Sequence, residues 1–172
     1  MKTFYKNFKL ISIGIIICSA SIINAAPSFD NIKTHIIKYE GWSNKVYICP
    51  TGHKTVGGGT NLESKGLQDK YKVGQNIDNC LLNKWLKEDV KIAEQIANKQ
   101  FKSFNSQPEN VQIILISLAY NLGPNRIKKF KDFTAAIEKK DYINAAAELK
   151  DSRWYKQTKN RGIEYVEILK NI

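Results

Sequence analysis

Arginine is scarce in this chain, and its scarcity narrows the range of partners. Only three of the 27 basic residues are arginines, Arg126, Arg153 and Arg161, and the rest are lysines. Specific readout of bases and bidentate binding of phosphates rely mainly on arginine. No basic stripe interleaved with aromatic residues makes up for this shortage. We therefore expect no nucleic-acid partner.

Histidine and cysteine are too few and too scattered to build a metal site. His35 and His53 are the only histidines, and Cys18, Cys49 and Cys80 show neither a CxxC pair nor metal-ligand spacing. We expect no metal and no cofactor. If the N-terminus is removed, Cys49 and Cys80 could form one disulfide in an oxidising compartment, and their spacing leaves open whether they lie close enough. Cys80 is otherwise expected to be a buried or half-buried small residue.

Long apolar runs are also few, and one of them lies near the N-terminus. Lys2, Lys6 and Lys9 precede an apolar stretch over residues 10–23, and small residues follow it. This order is typical of a secretory signal peptide at residues 1–25, with cleavage near Ala25. The stretch is short for a spanning helix. We expect export to the periplasm or the medium; the alternative is a membrane-tethered precursor, transiently anchored through residues 10–26.

The charge of the chain favours an anionic partner. The formal net charge is +11. Residues 1–26 contain three lysines and no acid, so the remainder carries 24 basic and 16 acidic residues and a net charge of +8. Such an excess favours anionic lipid or a bacterial cell-wall polymer.

The periodicity of the remaining sequence predicts one domain, residues 26–172, that is mostly helical with one small antiparallel sheet inserted early. Ser28 is a candidate cap for a helix over 29–39, and Gly41 is placed to end it. Strand patterns follow at 46–49 and 54–56 across turn residues 50–53, with a third short strand after residue 60. The spacing of apolar residues then predicts a long helix over about 78–97, with Ile92 among its core positions. Further helices are predicted after Pro108, where residues 111–120 are apolar almost all round, and over 130–139, 142–149 and the C-terminal segment.

The stretch from Tyr39 to Asn61, YEGWSNKVYICPTGHKTVGGGTN, concentrates the reactive groups. Glu40 stands at the end of the first predicted helix, Cys49 and Thr55 lie in the hairpin, and three glycines end the second strand. The glycines are not a phosphate loop, because no Gly-Lys-Ser/Thr follows them and no βαβ unit surrounds them. An acid facing a small hairpin indicates either a catalytic cleft or an ordinary acid at a helix end followed by a turn.

Two separated signatures resemble the bacteriophage lysozyme family, the muramidases of phage endolysins. The first is Glu40, then Cys49 nine residues later and Thr55 six further, within YEG…C…TVGGG. The second is SRWYKQTKNRG at 152–162, and AYNLG at 119–123 also fits. The resemblance covers about residues 29–170. It implies an α+β, mostly α, lysozyme-like fold: a small N-terminal antiparallel β-lobe (about 42–76) and a larger helical lobe (about 78–172 plus helix 29–39), joined by the long helix.

The resemblance also implies an activity and assigns roles. It implies cleavage of the β-1,4 bond between N-acetylmuramic acid and N-acetylglucosamine in peptidoglycan, by an inverting reaction that leaves room for a water. Glu40 would be the general acid, with Cys49 and Thr55 assisting the attacking water. Arg161 would pair with Glu40, with Asn121 and Gly59 as further supporting or substrate-binding residues. Peptidoglycan glycan strands would be the partner, and we expect a monomer.

One departure from the family pattern raises an alternative. Cys49 occupies a position where aspartate is more usual, and a thiol is a useful base only if its pKa is lowered towards neutrality. A catalytically impaired peptidoglycan-binding protein is therefore the alternative function. In some phage relatives a cysteine of an N-terminal anchor rescues the catalytic thiol by disulfide exchange, and Cys18 stands in the corresponding region here; the alternative, which we favour, is an ordinary cleaved signal peptide in which Cys18 has no such role.

Overall fold

The computed structural model describes residues 26–172, so the predicted signal segment and Cys18 lie outside the described residues. Over the described range the chain forms seven α-helices and one three-stranded antiparallel sheet. This confirms the predicted α+β, mostly helical class. No helix in this range is both long enough and apolar enough to cross a membrane.

The first helix, α1 (Phe29–Glu40), begins at the predicted residue and ends one residue later than predicted. The Ser28 side chain accepts a hydrogen bond from the Asn31 backbone N–H at 3.1 Å, which satisfies one of the free donors at the helix start. Ile32 and Ile36 are buried. Gly41 ends the helix with φ of 74°, a conformation that a residue with a Cβ rarely adopts. Glu40 is therefore fixed as the last residue of a capped helix.

The small sheet consists of β1 (Ser43–Ile48), β2 (Lys54–Gly57) and β3 (Thr60–Asn61) in that order. Strand β1 begins three residues before the predicted strand, and an irregularity in its pairing with β2 falls between Ser43 and Tyr47. The Lys54 ammonium donates to the carbonyl oxygens of Gln68 and Tyr71 at 2.6 and 3.0 Å. These bonds hold the loop that follows β3 against the sheet. The lobe has its own apolar core, formed by Val46, Val56, Leu62, Ile77, Leu82 and Trp85.

Helix α2 (Asn79–Gln100) connects the two lobes and contributes to both cores. Leu82 and Trp85 pack into the core of the small lobe, while Leu86, Val90, Ala93 and Ala97 pack into that of the helical lobe. Its predicted position is confirmed, but two predicted burials are wrong. Ile92 is 54% exposed, because it falls on the outer face with Lys91 and Gln95, and Cys80 is exposed in the first turn.

The helical lobe is built around α3 (Glu109–Ile127), whose segment from Val111 to Ala119 is buried except for Ile113. The helical backbone conformation is interrupted at Gly123, which has φ of 66° and ψ of 177°. The predicted helix end at residues 121–124 is therefore a break, after which a further turn reaches Ile127. Around α3 pack α4 (Lys131–Glu138), α5 (Tyr142–Asp151), α6 (Arg153–Thr158) and α7 (Asn160–Lys170).

Gly162 sets the distance between α6 and α7. A Cβ at this position would lie 2.6 Å from Cδ2 and 3.3 Å from Cα of Tyr155. Both are too close, and the second neighbour is backbone that cannot swing aside. The glycine therefore lets α7 approach α6 closely, immediately next to Arg161.

We expect Gly162→Ala to lower the free energy of unfolding by about 1–3 kcal/mol, the usual cost of overpacking a close contact. Helix propensity alone would give the opposite sign, since alanine is favoured over glycine by about 1 kcal/mol. Chemical denaturation measures the difference. Ile163→Ala, at a half-exposed position on the same helix, is the control and should change stability by no more than about 0.5 kcal/mol. An unchanged or increased stability of Gly162→Ala would contradict the expectation.

Candidate active site

Glu40 lies where α1, α3 and α7 meet, and its carboxylate is held from one side. The Arg161 Nη2 atom lies 2.7 Å from Glu40 Oε1, and the Asn121 Nδ2 atom donates to the same oxygen at 3.2 Å. Within the part of the chain that the structure describes, Oε2 receives no hydrogen bond. The side chain of Glu40 is 25% exposed. One oxygen is therefore fixed by the protein, and the other is left available to a bound molecule.

Arg161 brings a permanent positive charge to this carboxylate. Its side chain is only 5% exposed, and it projects from the first turn of α7. A buried guanidinium requires a charged or polar partner, because its desolvation is otherwise costly. The structure thus places Arg161 in the contact with Glu40 that the resemblance implies; their roles in a reaction remain predictions.

The Asn121 amide is oriented by a residue to which sequence reasoning assigned no role. The Trp154 indole N–H donates to Asn121 Oδ1 at 2.9 Å. Since an indole nitrogen can only donate, it fixes which end of the amide faces it and leaves the NH₂ group for Glu40. Trp154 was visible as part of the SRWY motif, but its contact with a residue 33 positions earlier was not.

Cys49 and Thr55 come together in the β1–β2 hairpin. Thr51 Oγ1 lies 3.0 Å from Cys49 Sγ, and the buried Thr55 has its Oγ1 3.1 Å from the His53 carbonyl oxygen. Hydrogen bonds from the Thr51 hydroxyl, then from the Thr55 hydroxyl and the His53 backbone, lower the pKa of the Cys49 thiol to about 6. At neutral pH this sulfur is therefore mainly a thiolate, which is the condition that a base at this position has to meet. Neither Cys49 nor Cys80 is in a disulfide.

Two tyrosines that contact the small sheet also feel the charge of Glu40, and the sequence analysis assigned neither a role. Tyr47 pairs with Thr55 across the strands. Burial raises the pKa of the Tyr47 hydroxyl, and the negative charges of Cys49 and Glu40 raise it further. Tyr120 of α3 donates to the Gly58 carbonyl oxygen at 3.0 Å, and burial, followed by the charges of Asp89 and Glu40, raises its pKa. The charge of Glu40 thus acts on both tyrosines.

The glycine run supports this cleft through its backbone. A Cβ on Gly57 or Gly58 would touch the side chains of Leu82, Trp42, Leu86 and Ile36, where the small lobe packs on α1 and α2. Gly59 is exposed with φ of 102°, and the nearest atom to a Cβ there would be the Tyr120 hydroxyl at 4.0 Å. Its predicted supporting role therefore rests on backbone conformation, and the close approach is made by Gly57 and Gly58.

A groove of about 640 Å³ lies beside the site on the helical lobe. It contains none of Glu40, Cys49 and Thr55, and it meets the Glu40 network through Trp154. Its walls carry both signs of charge, from Arg126, Lys129, Lys131, Arg153, Asp132, Glu148 and Asp151. Among the described residues, no group of three or more histidines, cysteines or acids could hold a metal ion.

We expect the lowered pKa of Cys49 to allow alkylation of its thiol at a lower pH than for an ordinary cysteine. In the full chain with Cys18→Ser and Cys80→Ser, the rate of reaction with iodoacetamide should rise with pH around a midpoint of about 6. Thr51→Val removes the hydrogen bond that contributes most to the lowered pKa, so the midpoint should move upwards.

The control is Thr134→Val. Thr134 lies on α4 and its hydroxyl donates to the Phe130 carbonyl oxygen, so its loss should leave the midpoint in place. A midpoint near the ordinary thiol value of 9.0 in the parent protein would contradict the assignment.

Comparison with known proteins places these residues in a family context. The family model described as phage lysozyme matches residues 37–168, a range that contains all six predicted site residues. A "Probable T4-type lysozyme 1" of Dictyostelium discoideum is 25% identical over 154 residues, covering 78% of this chain and 91% of the relative. A "Probable T4-type lysozyme 2" of the same organism is 31% identical over 65 residues, 38% of each chain.

Proposed function

The chain belongs to the phage lysozyme family, and on that basis we propose that it is an endolysin-like muramidase. Its reaction would be hydrolysis of the β-1,4 bond between N-acetylmuramic acid and N-acetylglucosamine in peptidoglycan. The observation that carries the proposal is the pairing of two reactive groups. A carboxyl held through one oxygen by Arg161 and Asn121 stands at the end of α1, and the hairpin that follows carries a cysteine whose pKa is lowered to about 6.

In this proposal Glu40 is the general acid. Its unbonded Oε2 gives a proton to the glycosidic oxygen as the bond from that oxygen to C1 of the muramic acid breaks. Negative charge then develops on the Glu40 carboxylate. Arg161 and Asn121 already point at Oε1, so they stabilise this charge without having to reorganise.

The Cys49 thiolate and the Thr55 hydroxyl act on the opposite face of the sugar. The thiolate accepts a proton from a water molecule, whose oxygen forms the new bond to C1, and Thr55 helps to orient that water. The two proton transfers balance: Glu40 ends as a carboxylate and Cys49 as a thiol. Attack from the face opposite the leaving group gives the α-anomer of the new reducing end.

We further propose that the protein acts outside the cytoplasm that makes it. The sequence of residues 1–25 supports export, and a net charge of +8 in the remainder suits attraction to an anionic wall. N-terminal sequencing of the exported protein identifies the cleavage point, expected near Ala25.

Product analysis tests the proposed reaction. Purified peptidoglycan is digested in the presence of a thiol reductant, and the products are reduced with borohydride and identified by mass spectrometry. New ends should carry muramitol, and NMR of the first products should show the α-anomer. Ends carrying glucosaminitol, or no new reducing ends at all, would contradict the proposal.

A further inference from the structure

Tyr39 covers the face of the guanidinium that pairs with Glu40. The Arg161 Cζ atom lies 4.7 Å from the centroid of the Tyr39 ring, within the range of a cation–π contact. Tyr39 directly precedes Glu40 at the end of α1, and Arg161 lies on α7. One guanidinium thus contacts a ring and a carboxylate from adjacent residues.

The hydroxyl of Tyr39 is engaged elsewhere. It donates to Glu164 Oε2, and the Lys38 ammonium donates to the same oxygen. Burial opposes ionisation of Glu164, but the hydrogen bonds from Lys38 and Tyr39 prevail and lower its pKa. Glu164 is therefore a carboxylate at neutral pH. It lies three residues after Arg161 on the same helix, a spacing at which opposite charges ordinarily pair.

His35 and Tyr165 hold the Tyr39 ring from behind. The ring meets His35 edge-on at a centroid distance of 5.4 Å and Tyr165 at 6.2 Å. The Tyr165 hydroxyl donates to Ser117 at 2.5 Å and lies 2.7 Å from His35 Nε2. Burial lowers the pKa of His35 to about 4; the negative charge of Glu164 opposes this shift, and the charges of Arg161 and Lys38 add to it. At neutral pH the imidazole thus adds no positive charge beside Arg161.

From this arrangement we infer that Tyr39 is a positioning residue for the reaction proposed above, on which the inference rests. Its ring fixes the Arg161 guanidinium in the orientation that reaches Glu40 Oε1. Its hydroxyl, together with Lys38, keeps Glu164 from competing with Glu40 for that guanidinium. The catalytic acid is thereby left as the only carboxylate that Arg161 contacts among the described residues.

Three variants separate the two actions of Tyr39. Tyr39→Leu removes the ring from Arg161 and should lower kcat on peptidoglycan about tenfold, with KM changed by less than about twofold. Tyr39→Phe keeps the ring but releases one bond to Glu164, and should lower kcat about threefold. Adding Glu164→Gln to Tyr39→Phe removes the competing charge and should restore most of the lost kcat.

Tyr142→Leu is the matched control for loss of a half-buried tyrosine. Tyr142 lies on α5, and its hydroxyl donates to Gln107 Oε1 at 2.8 Å within the helical lobe, not to any group around Arg161. This variant should lose stability while kcat stays near the parent value. Equal losses of kcat in Tyr142→Leu and Tyr39→Leu would show a general structural effect and overturn the inference.

A second readout does not depend on turnover. The chain has only three arginines, and Arg126 and Arg153 are exposed, so the buried Arg161 should give a separate side-chain signal in ¹⁵N NMR. Exchange of its Nε proton with water should be at least about tenfold faster in Tyr39→Leu, because the covering ring is gone. If Tyr39→Leu leaves both the proton exchange and kcat unchanged in an active protein, the positioning role of Tyr39 is overturned and the proposed function is not. Equal activity of the parent and Glu40→Gln would instead overturn the proposed function, and the positioning role with it.

Discussion

Glu40→Gln is expected to lower kcat on purified peptidoglycan by about a thousandfold, within the usual range for loss of a general acid. Glutamine has the same shape, and its amide oxygen can still accept from Arg161 and Asn121. What it lacks is a proton that can be transferred to the leaving oxygen. The fold should therefore survive while the chemistry fails, which release of reducing ends and a thermal melt measure together.

The control for this substitution is Glu167→Gln, an exposed glutamate of α7 that pairs with Lys170. It removes the same charge from the protein and should leave kcat within about twofold of the parent, as exposed substitutions usually do. More than a tenth of the parent activity in Glu40→Gln would contradict the assignment of the acid. The muramidase proposal would then need another proton donor.

Cys49 is expected to show the second-largest effect, and its replacements should diverge. Cys49→Ala removes the group that accepts the proton of water and should lower kcat about a hundredfold. Cys49→Asp supplies a carboxylate, so activity should be kept or increased. A thiolate can be oxidised to the sulfenic acid or beyond, whereas a carboxylate cannot. Hydrogen peroxide should therefore inactivate the parent and spare Cys49→Asp.

Lytic rates measured with and without reductant check these expectations, in a Cys18→Ser, Cys80→Ser background so that Cys49 is the only thiol. Full activity of Cys49→Ala would remove Cys49 from the mechanism. A different result would support the alternative of an impaired binding protein. In that case both the reduced parent and Cys49→Asp would be inactive, and both would still bind peptidoglycan.

Local signals account for the elements that were predicted correctly. Ser28 before an apolar period and Gly41 after it define α1 to within a residue, because capping and positive φ are properties of the residues themselves. The same holds for Asp78, whose side chain accepts from the backbone of Cys80 and Leu81 at the start of α2. The spacing of Glu40, Cys49 and Thr55 was also readable, since all three lie within 16 consecutive residues.

Long-range contacts account for what was missed. Trp154 reaches Asn121, Tyr39 reaches Glu164, and no local pattern encodes either meeting. The apolar character of Ile92 predicts a core position, but the side of α2 that is buried depends on the elements that pack against it, and Ile92 lies on the other side. The resemblance supplied the partnership of Arg161 with Glu40, 121 residues apart, which periodicity alone could not give.

The imidazole of His35 has a consequence for where the protein can work. In the unfolded chain it takes up a proton near pH 6.5, and in the folded protein only near pH 4. Between these values the unfolded state binds more protons, so acid favours unfolding; this contribution to stability is complete above pH 6.5 and shrinks as pH falls towards 4. Cys49 also loses its negative charge below about pH 6. Acidification thus weakens the fold and the proposed base over the same range, so stability and lytic activity should fall together as the pH drops below about 6.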